Sequence, residues 1–346
     1  MSWQFCSALE AFDRHHSLWD AINGDCGNHI LLDSEFWHCL IKYFGSANTV
    51  LAFTEKKNGR AAALIERGAY GFWQTFQPCQ APIGPILFDK SASLHWHEHI
   101  RDLMADLPGY ALGFAATQQD PDFTCFGSIN GAAAIEAINY IQTPRLSVRG
   151  KYEDYWNQRS KNLTHNLSRQ RRRLKEQGRV LDLVIERNPE TVVDAVREYG
   201  LLESTGWKGD EGSAVAADNV QGRFYHDVLE TFSRRGEAVI YRLHLNGKTV
   251  ASDLCLKRDG TLFILKTAYD ESVQGLSLGL LLHHEIFQSV FKEGKIRVIE
   301  FYGRVRDWHT KWTNETRNMY HLNFYRYGWI AAGRRILKSS SAILNR

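Results

Sequence analysis

The sequence predicts an α/β protein of two tandem domains, each a mixed, mainly antiparallel sheet flanked by helices. Three observations predict it. The chain has 346 residues, 44% of them apolar, enough for two ordinary cores at roughly 100 to 200 residues per domain. One order of elements (helix, hairpin, third strand, loop, helix, return strand) can be read twice, on either side of Gly150. The hairpin positions hold Asn-Gly or Asp-Gly pairs, whose tolerance of positive φ suits tight antiparallel turns.

In the first domain, residues 1–150, Ser34-Glu35-Phe36-Trp37 opens a helix to about Phe44, and Thr49 to Thr54 alternates as a strand. Asn58-Gly59 turns the chain back into Ala61 to Glu66. A third strand covers Tyr70 to Phe76. The loop Pro78 to Pro85 leads to a helix near Ala92 to Leu107 and a strand from Ala111 to Thr117.

The second domain, residues 151–346, repeats the order with stronger signals. Tyr152 to Gln177 is a long helix, Val180 to Glu186 a strand, and Pro189 to Glu203 a helix with proline in its first turn. A helix from Gly222 to Arg234 precedes three strands, Ala238 to Leu245, Thr249 to Lys257 and Leu262 to Tyr269. Two-residue turns, Asn246-Gly247 and Asp259-Gly260, join them. An apolar helix, Ser277 to Lys292, a strand Arg297 to Tyr302, a strand Met319 to Arg326 and a basic helix Trp329 to Lys338 complete the chain. The last helix is expected to dock on the second domain, with contact to a membrane surface as the second option.

Composition narrows the class. With 23% charged residues and no low-complexity tract, the chain is neither disordered nor fibrous. Six cysteines without a CxxC spacing read as reduced thiols. The start, MSWQFCSALEAFDRHH, has charges where an export signal needs an apolar core. No stretch approaches the ~18 apolar residues of a bilayer span, so a cytoplasmic protein without stable membrane insertion is expected. The net charge of +3 hides an asymmetry. Residues 1–150 hold 10 Lys and Arg against 15 Asp and Glu, net −5, and residues 151–346 hold 32 against 24, net +8. The basic half is the half expected to carry an anionic ligand.

Turn positions fix an expected register. The Asp259-Gly260 turn pairs Arg258 with Thr261 and sets Asp253 opposite Lys266; the Asn246-Gly247 turn sets Arg242 opposite Ala251. Asp253, Lys266, Ile264, Ala251 and Arg242 then share one face, and Tyr241, Leu243, Leu254, Leu256 and Phe263 form the apolar other. An Asp-Lys pair at mid-sheet is either a cross-strand ion pair worth about 0.2 to 1 kcal/mol, or a proton acceptor beside a cation on a cleft floor. The contrast between the two faces favours the second. In the loop Tyr269 to Leu280, Gly275 and Gly279 allow close approach of backbone to a ligand, and Ser277 is a candidate N-cap.

Several segments carry a family resemblance: Tyr269 to Leu282 with Ser277-Leu278-Gly279, Arg159-Ser160-Lys161-Asn162-Leu163 through Arg171-Arg172-Arg173-Leu174, Glu203 through Trp207-Lys208-Gly209, and Glu300-Phe301-Tyr302-Gly303 through Lys311-Trp312. In this order, over about residues 150–330, they resemble the GNAT acyltransferase superfamily, in its FemAB-like and CelD-like branch of tandem GNAT-type folds. The resemblance implies transfer from an acyl-CoA, acetyl-CoA or longer, to a primary amine such as an amino sugar or a peptide-like acceptor. It places the donor on Ala268, Tyr269, Gln274, Gly275, Leu276, Ser277, Leu278 and Gly279. For such a transfer, position in the expected sheet makes Asp253 the first candidate for the base, with Glu300 and Glu285 behind it, puts Lys266 and the backbone N–H groups to Ala268 at the carbonyl, and makes Tyr302 the candidate acid. Trp207, Lys208, Arg242, Trp308, Lys311 and Trp312 are the acceptor candidates, with the first domain on the acceptor side. The alternatives are an aminoacyl-tRNA donor and a non-catalytic scaffold of polysaccharide assembly.

Two further patterns have plainer readings. His95, His97 and His99 would share a face only on a strand, and Leu94, Ile100 and Leu103 indicate a helix, so no metal is expected. His283-His284-Glu285 lies within the apolar helix and is expected to pack or cap rather than to ligate. The basic run Arg159 to Arg179 reads first as a solvated face, and more sharply as a site for tRNA, CoA phosphates or an anionic glycan.

Overall fold

The computed structural model describes residues 2–123, 126, 134–204, 215 and 219–334. They form two compact units, one reaching to Ile141 and resuming at Arg317, the other spanning Gln142–Thr316. The division expected at Gly150 is thus discontinuous. The last strand, Thr316–Tyr325, pairs antiparallel with Gly113–Gln119 and sends Leu322 and Phe324 into the core of the first unit. Arg317 locks that return. Its Nη2 and Nε donate to the fully buried Asp120 at 2.6 and 3.0 Å.

The first unit's sheet runs in the order Gln4–Ser7, Thr49–Lys56, Gly59–Arg67, Phe72–Thr75, Gly113–Gln119, Thr316–Tyr325. The hairpin at Asn58-Gly59 closes one residue earlier than its sequence suggests. Lys56 pairs with Gly59, so Lys57 and Asn58 form the loop and only Gly59 takes a positive φ, 114°. The expected Ala92–Leu107 helix is broken at His95 into Lys90–Leu94 and Trp96–Asp106; His99 is buried while His95 and His97 face out. Phe72–Gln74 lies parallel to Gly113–Ala115. Past that pair the strands stay joined, Thr117 N donating to Thr75 Oγ1 at 3.0 Å and Thr117 Oγ1 to Gln77 Oε1 at 2.8 Å. The loop beside them is filled. Ala81 and Ile83 are buried, and a Cβ on Gly84 would fall 2.0 Å from the Thr117 carbonyl oxygen.

The second unit repeats the plan. Leu181–Glu186, Ala238–Leu245, Lys248–Arg258 and Thr261–Tyr269 are antiparallel neighbours, Val298–Glu300 runs parallel to Thr261–Phe263, and Arg145–Leu146–Ser147 closes that edge. Both glycine turns form as expected, with Asn246 at φ 53° and Asp259 at φ 49°. Alternation sends Val239, Tyr241, Leu243, Cys255 and Ile264 toward the Lys161–Glu176 and Leu278–Glu293 helices. The opposite face meets Pro189–Ser204 and Val220–Arg234. A sheet covered on both faces explains why its middle strand, VASDLCL, is apolar on both faces apart from Ser252 and Asp253.

The long basic helix is two helices, Tyr152–Asn157 and Lys161–Glu176. Ser160, extended at φ −60°, ψ 140°, breaks the run and accepts the Leu163 N–H as an N-cap. The described start of the final helix, residues 328–334, packs on the first unit, not the second as expected: Arg334 lies 4.8 Å over the Phe72 ring.

Removing one partner of a buried ion pair leaves the other charge uncompensated. Asp120→Ala is therefore expected to lower unfolding stability by about 3 to 5 kcal/mol, measured by urea denaturation.

Candidate active site

The site begins where strand pairing stops. Thr261–Phe263 and Val298–Glu300 run parallel for three residue pairs and then separate. A cavity of about 600 Å³ occupies the gap, walled on one side by Ile264 to Thr267 and on the other by Phe301, Gly303, Trp308 and His309. Its end is formed by Tyr269, Leu276 to Leu280 and His283. The same position in the first unit is closed by Thr75, Thr117 and the 77–85 loop.

A bulge shapes the cavity wall. Cys255 pairs with Ile264 but Leu254 pairs with Lys266, so Leu265 stands outside the ladder. A bulged residue leaves backbone polar groups free of the neighbouring strand and bends its own. A second irregularity skips Val250 against the preceding strand. Each adds a residue that turn chemistry cannot reveal, and together they overturn the expected register. Asp253 lies opposite Thr267 and Tyr241; Lys266 lies opposite Leu254; Arg242 lies opposite Ser252.

Asp253 and Lys266 consequently occupy opposite faces. The Lys266 ammonium sits 5.7 Å over the Tyr225 ring, on the Val220–Arg234 side, while the residue itself still contributes to the cavity wall. Arg242 belongs to that same side and is held by Glu198 at 3.0 Å and Glu186 at 3.4 Å. Both carboxyls are drawn below the usual carboxylate range, against the opposing effect of burial, by hydrogen bonds and by that guanidinium. Arg242 is thus a structural cation outside the cavity.

Asp253 faces the Leu278–Glu293 helix and is fully buried. Its Oδ2 lies 3.1 Å from His283 Nε2. A carboxylate in such a place needs a charged or hydrogen-bonding partner, and His283 supplies it. The imidazole is stacked between Phe287, 5.6 Å away at 5°, and Trp308, 5.1 Å at 21°. Asp253 Oδ1 and His283 Nδ1 have no hydrogen-bond partner among the described residues. His309 is the second histidine of the wall. Its Nδ1 accepts the Arg306 N–H at 2.9 Å, and burial, with His283 adding to it, pushes its pKa down to about 4.

The loop before the Leu278–Glu293 helix is braced from the basic helix. Ser277 N donates to Gln170 Oε1 at 2.8 Å, and Gln170 Nε2 donates to Ser277 Oγ at 3.1 Å, so Ser277 does not cap the helix with its side chain. The first-turn N–H groups of Leu278, Gly279 and Leu280 have no intrahelical acceptor and carry the positive end of the helix dipole. Gly275 is left-handed at φ 77°, and a Cβ there would lie 4.0 Å from Arg173 Nη1. Asp270 accepts the Ser272 N–H and hydroxyl at 3.0 and 2.5 Å, which holds its carboxyl below the usual range. The arginines of this helix are not uniformly solvated: Arg171 pairs with Glu285 at 2.8 Å, and Arg173 borders the loop.

Of the donor candidates, Tyr269, Leu276, Ser277, Leu278 and Gly279 line the cavity; Ala268, Gln274 and Gly275 flank it. Trp308 lines it too. Trp312 is a core residue, fully buried against Trp156 and Phe287, and Lys311 is exposed outside the cavity wall. Glu300 is buried between Phe263 and Arg145 in the ladder. Tyr302, left-handed at φ 46°, stacks on Phe263 at 6.0 Å and stands outside the cavity wall. Trp207 and Lys208 lie outside the described residues. From sequence His283 reads as a packing residue of the apolar helix, and His309 is not picked out. The available signal was a histidine between Gly279 and Phe287, four residues from each, on an otherwise apolar helix face turned to the sheet.

Residues 161–310 match a family model described as an acetyltransferase (GNAT) domain. No curated protein matches the sequence. Among solved structures, the chain is similar to the C-terminal domain of a putative lysylphosphatidylglycerol synthetase from Agrobacterium fabrum, with 13% identity, 92% of each chain covered and a TM-score of 0.55. It is similar to L-PGS from Bacillus licheniformis, at 13% identity over 90% of this chain and 91% of that one, TM-score 0.53. FemX resembles it at 9% identity over 94% and 97%, TM-score 0.52. At such identities the likeness is one of fold.

The depressed pKa of His309 has a stability consequence. Between about pH 6.5, where an unfolded histidine titrates, and about 4, where folded His309 does, the unfolded chain binds the extra proton. Stability therefore falls as pH drops through this window, by roughly 3 kcal/mol in all for this group. His309→Asn, which keeps an acceptor near Nδ1, is expected to flatten that part of the curve of unfolding free energy against pH.

Proposed function

We propose, from the match of residues 161–310 to an acetyltransferase (GNAT) domain model, that the protein is an acyl-CoA-dependent N-acyltransferase acting on a primary amine. The observation that carries the reading is the separation of two parallel strands after Phe263 and Glu300, with a cavity between them that ends on an uncapped helix N-terminus. A thioester donor needs an extended slot for its arm and an anion site for its diphosphate. The strand edge from Ile264 to Thr267 supplies the first, and the N–H groups of Leu278 to Leu280 supply the second. Arg173 adds a cation beside the loop.

Transfer forms a C–N bond at the thioester carbonyl and breaks its C–S bond, with the nitrogen's proton leaving and the thiolate gaining one. In this reading the bulge at Leu265 presents backbone N–H groups to the carbonyl oxygen as it becomes an oxyanion. His283 takes at Nδ1 one proton from the acceptor ammonium, leaving the neutral amine to attack, and the second proton lost by the nitrogen goes to the departing thiolate. Asp253 holds the ring through Nε2 and stabilises the charged imidazolium that results. Asp253 is then a positioning residue, and His283 the catalytic one. Trp308 shields the pair from water.

An aminoacyl-tRNA donor is the second reading, favoured by the exposed cations Lys161, Arg169, Arg172 and Lys175 along one helix. A scaffold without chemistry would leave the buried Asp253–His283 pair without a role beyond packing.

Calorimetry with acetyl-CoA, longer acyl-CoAs and charged tRNA separates the donors. Acyl-CoA binding in the absence of any response to tRNA is expected, and no binding by either donor would refute both transfer readings. With a reactive amine in hand, His283→Gln is expected to lower kcat about 10²- to 10⁴-fold with donor affinity kept. Asp253→Asn should lower it to a smaller extent and displace the pH profile; unchanged profiles in both variants would contradict the proton-transfer roles.

A further inference from the structure

We propose that the first unit carries a docking surface for an anionic lipid bilayer, built from Tyr70, Tyr110, Tyr327 and Trp329 and flanked by Arg67 and Arg334. Three of these rings are among the most exposed large apolar side chains of the described residues, Tyr70 at 90%, Trp329 at 71% and Tyr110 at 59%, and Tyr327 is exposed at 42%. They are neighbours. Tyr110 and Tyr327 meet through their hydroxyls, Tyr327 stacks on Trp329 at 5.9 Å and 9°, and a Cβ on Gly71, next to Tyr70, would lie 3.0 Å from the Tyr110 carbonyl oxygen. Tyr70 is presented on a left-handed backbone at φ 56°, uncommon for a tyrosine.

Three arginines stand around the rings; Glu136 accepts the Tyr325 hydroxyl at 2.7 Å, with Arg334 6.0 Å over the same ring. Arg326 lies 4.4 Å over Tyr110, Arg334 over Phe72, and Arg67 reaches within 4 Å of where a Gly109 Cβ would stand. The three segments, residues 67–73, 107–112 and 326–334, contain no Asp or Glu. The three arginines of these segments, with no acid in the same stretches, complement an anionic surface. The side chains also select the occupant. Tyr and Trp, apolar in the ring and polar at the tip, suit the headgroup layer, where one end is dry and the other wet. No helix of the described residues is long and apolar enough to cross a membrane, so the contact is peripheral and reversible. The inference stands independently of the acyl-transfer reading.

The test is sedimentation of the full chain with vesicles of phosphatidylcholine alone or with about one third phosphatidylglycerol. Sedimentation with the anionic vesicles only, reversed by salt and accompanied by a blue shift of tryptophan emission, is expected. Combining Tyr70→Ser, Tyr110→Ser and Trp329→Ser should lower the partition coefficient about tenfold or more, and Arg67→Ala about fivefold, with the thermal midpoint and circular dichroism unchanged. The pair Arg172→Glu and Lys175→Glu, on the basic helix of the second unit, should leave it unaltered. The proposal is overturned by absence of sedimentation, by equal sedimentation of the aromatic variant, by loss in the basic-helix variant alone, or by binding to an anionic polysaccharide without binding to vesicles.

Discussion

The candidate site rests on an interruption of β-pairing. Val298–Glu300 follows Thr261–Phe263 for three residue pairs and then leaves it, and Leu265 drops out of the ladder on the other side. Backbone groups released from a sheet must find other partners or face solvent or ligand. Here they border a cavity rather than a neighbouring strand. The candidate site of the second unit is arranged around that gap: the start of the Leu278–Glu293 helix at its end, the histidines and Trp308 in its wall, and the basic helix bracing the loop through Gln170 and Ser277.

The first unit shows what the same plan becomes without the interruption. Its parallel strands are also joined over three pairs, yet Thr75, Gln77 and Thr117 stitch them together beyond, and Gly84 lets the loop lie against the Thr117 carbonyl. Two threonines and a glycine thus turn a cleft into core. What this unit keeps on its surface is a cluster of exposed rings and arginines.

Much of the fold was legible from sequence because its signals are local. The Asn246-Gly247 and Asp259-Gly260 turns, the proline opening Pro189–Ser204 and the apolar helix after Ser277 all depend on a few adjacent residues. The bulges at Val250 and Leu265 do not. Each is set by how a strand fits its neighbours and the helices across them, and one skipped residue moves every side chain beyond it to the other face. That is why turn chemistry matches Asp253 with Lys266, and why its partner His283, thirty residues away on a helix, reads from sequence as a packing residue. The discontinuous first unit was hidden for the same reason: Asp120 and Arg317 are buried together, but nothing local in either segment announces the other.

The central claim is that the gap between Ile264–Thr267 and Phe301–Gly303, with the helix start at Leu278, receives an acyl-CoA. Amide hydrogen exchange with and without acetyl-CoA, resolved by residue, tests it most directly. The account predicts slowed exchange concentrated at Leu265 to Thr267 and Leu278 to Leu280, with the equivalent 77–85 loop and Thr117 of the first unit unchanged. Protection confined to the first unit, or no protection at either set of amides while acetyl-CoA is bound, would contradict it.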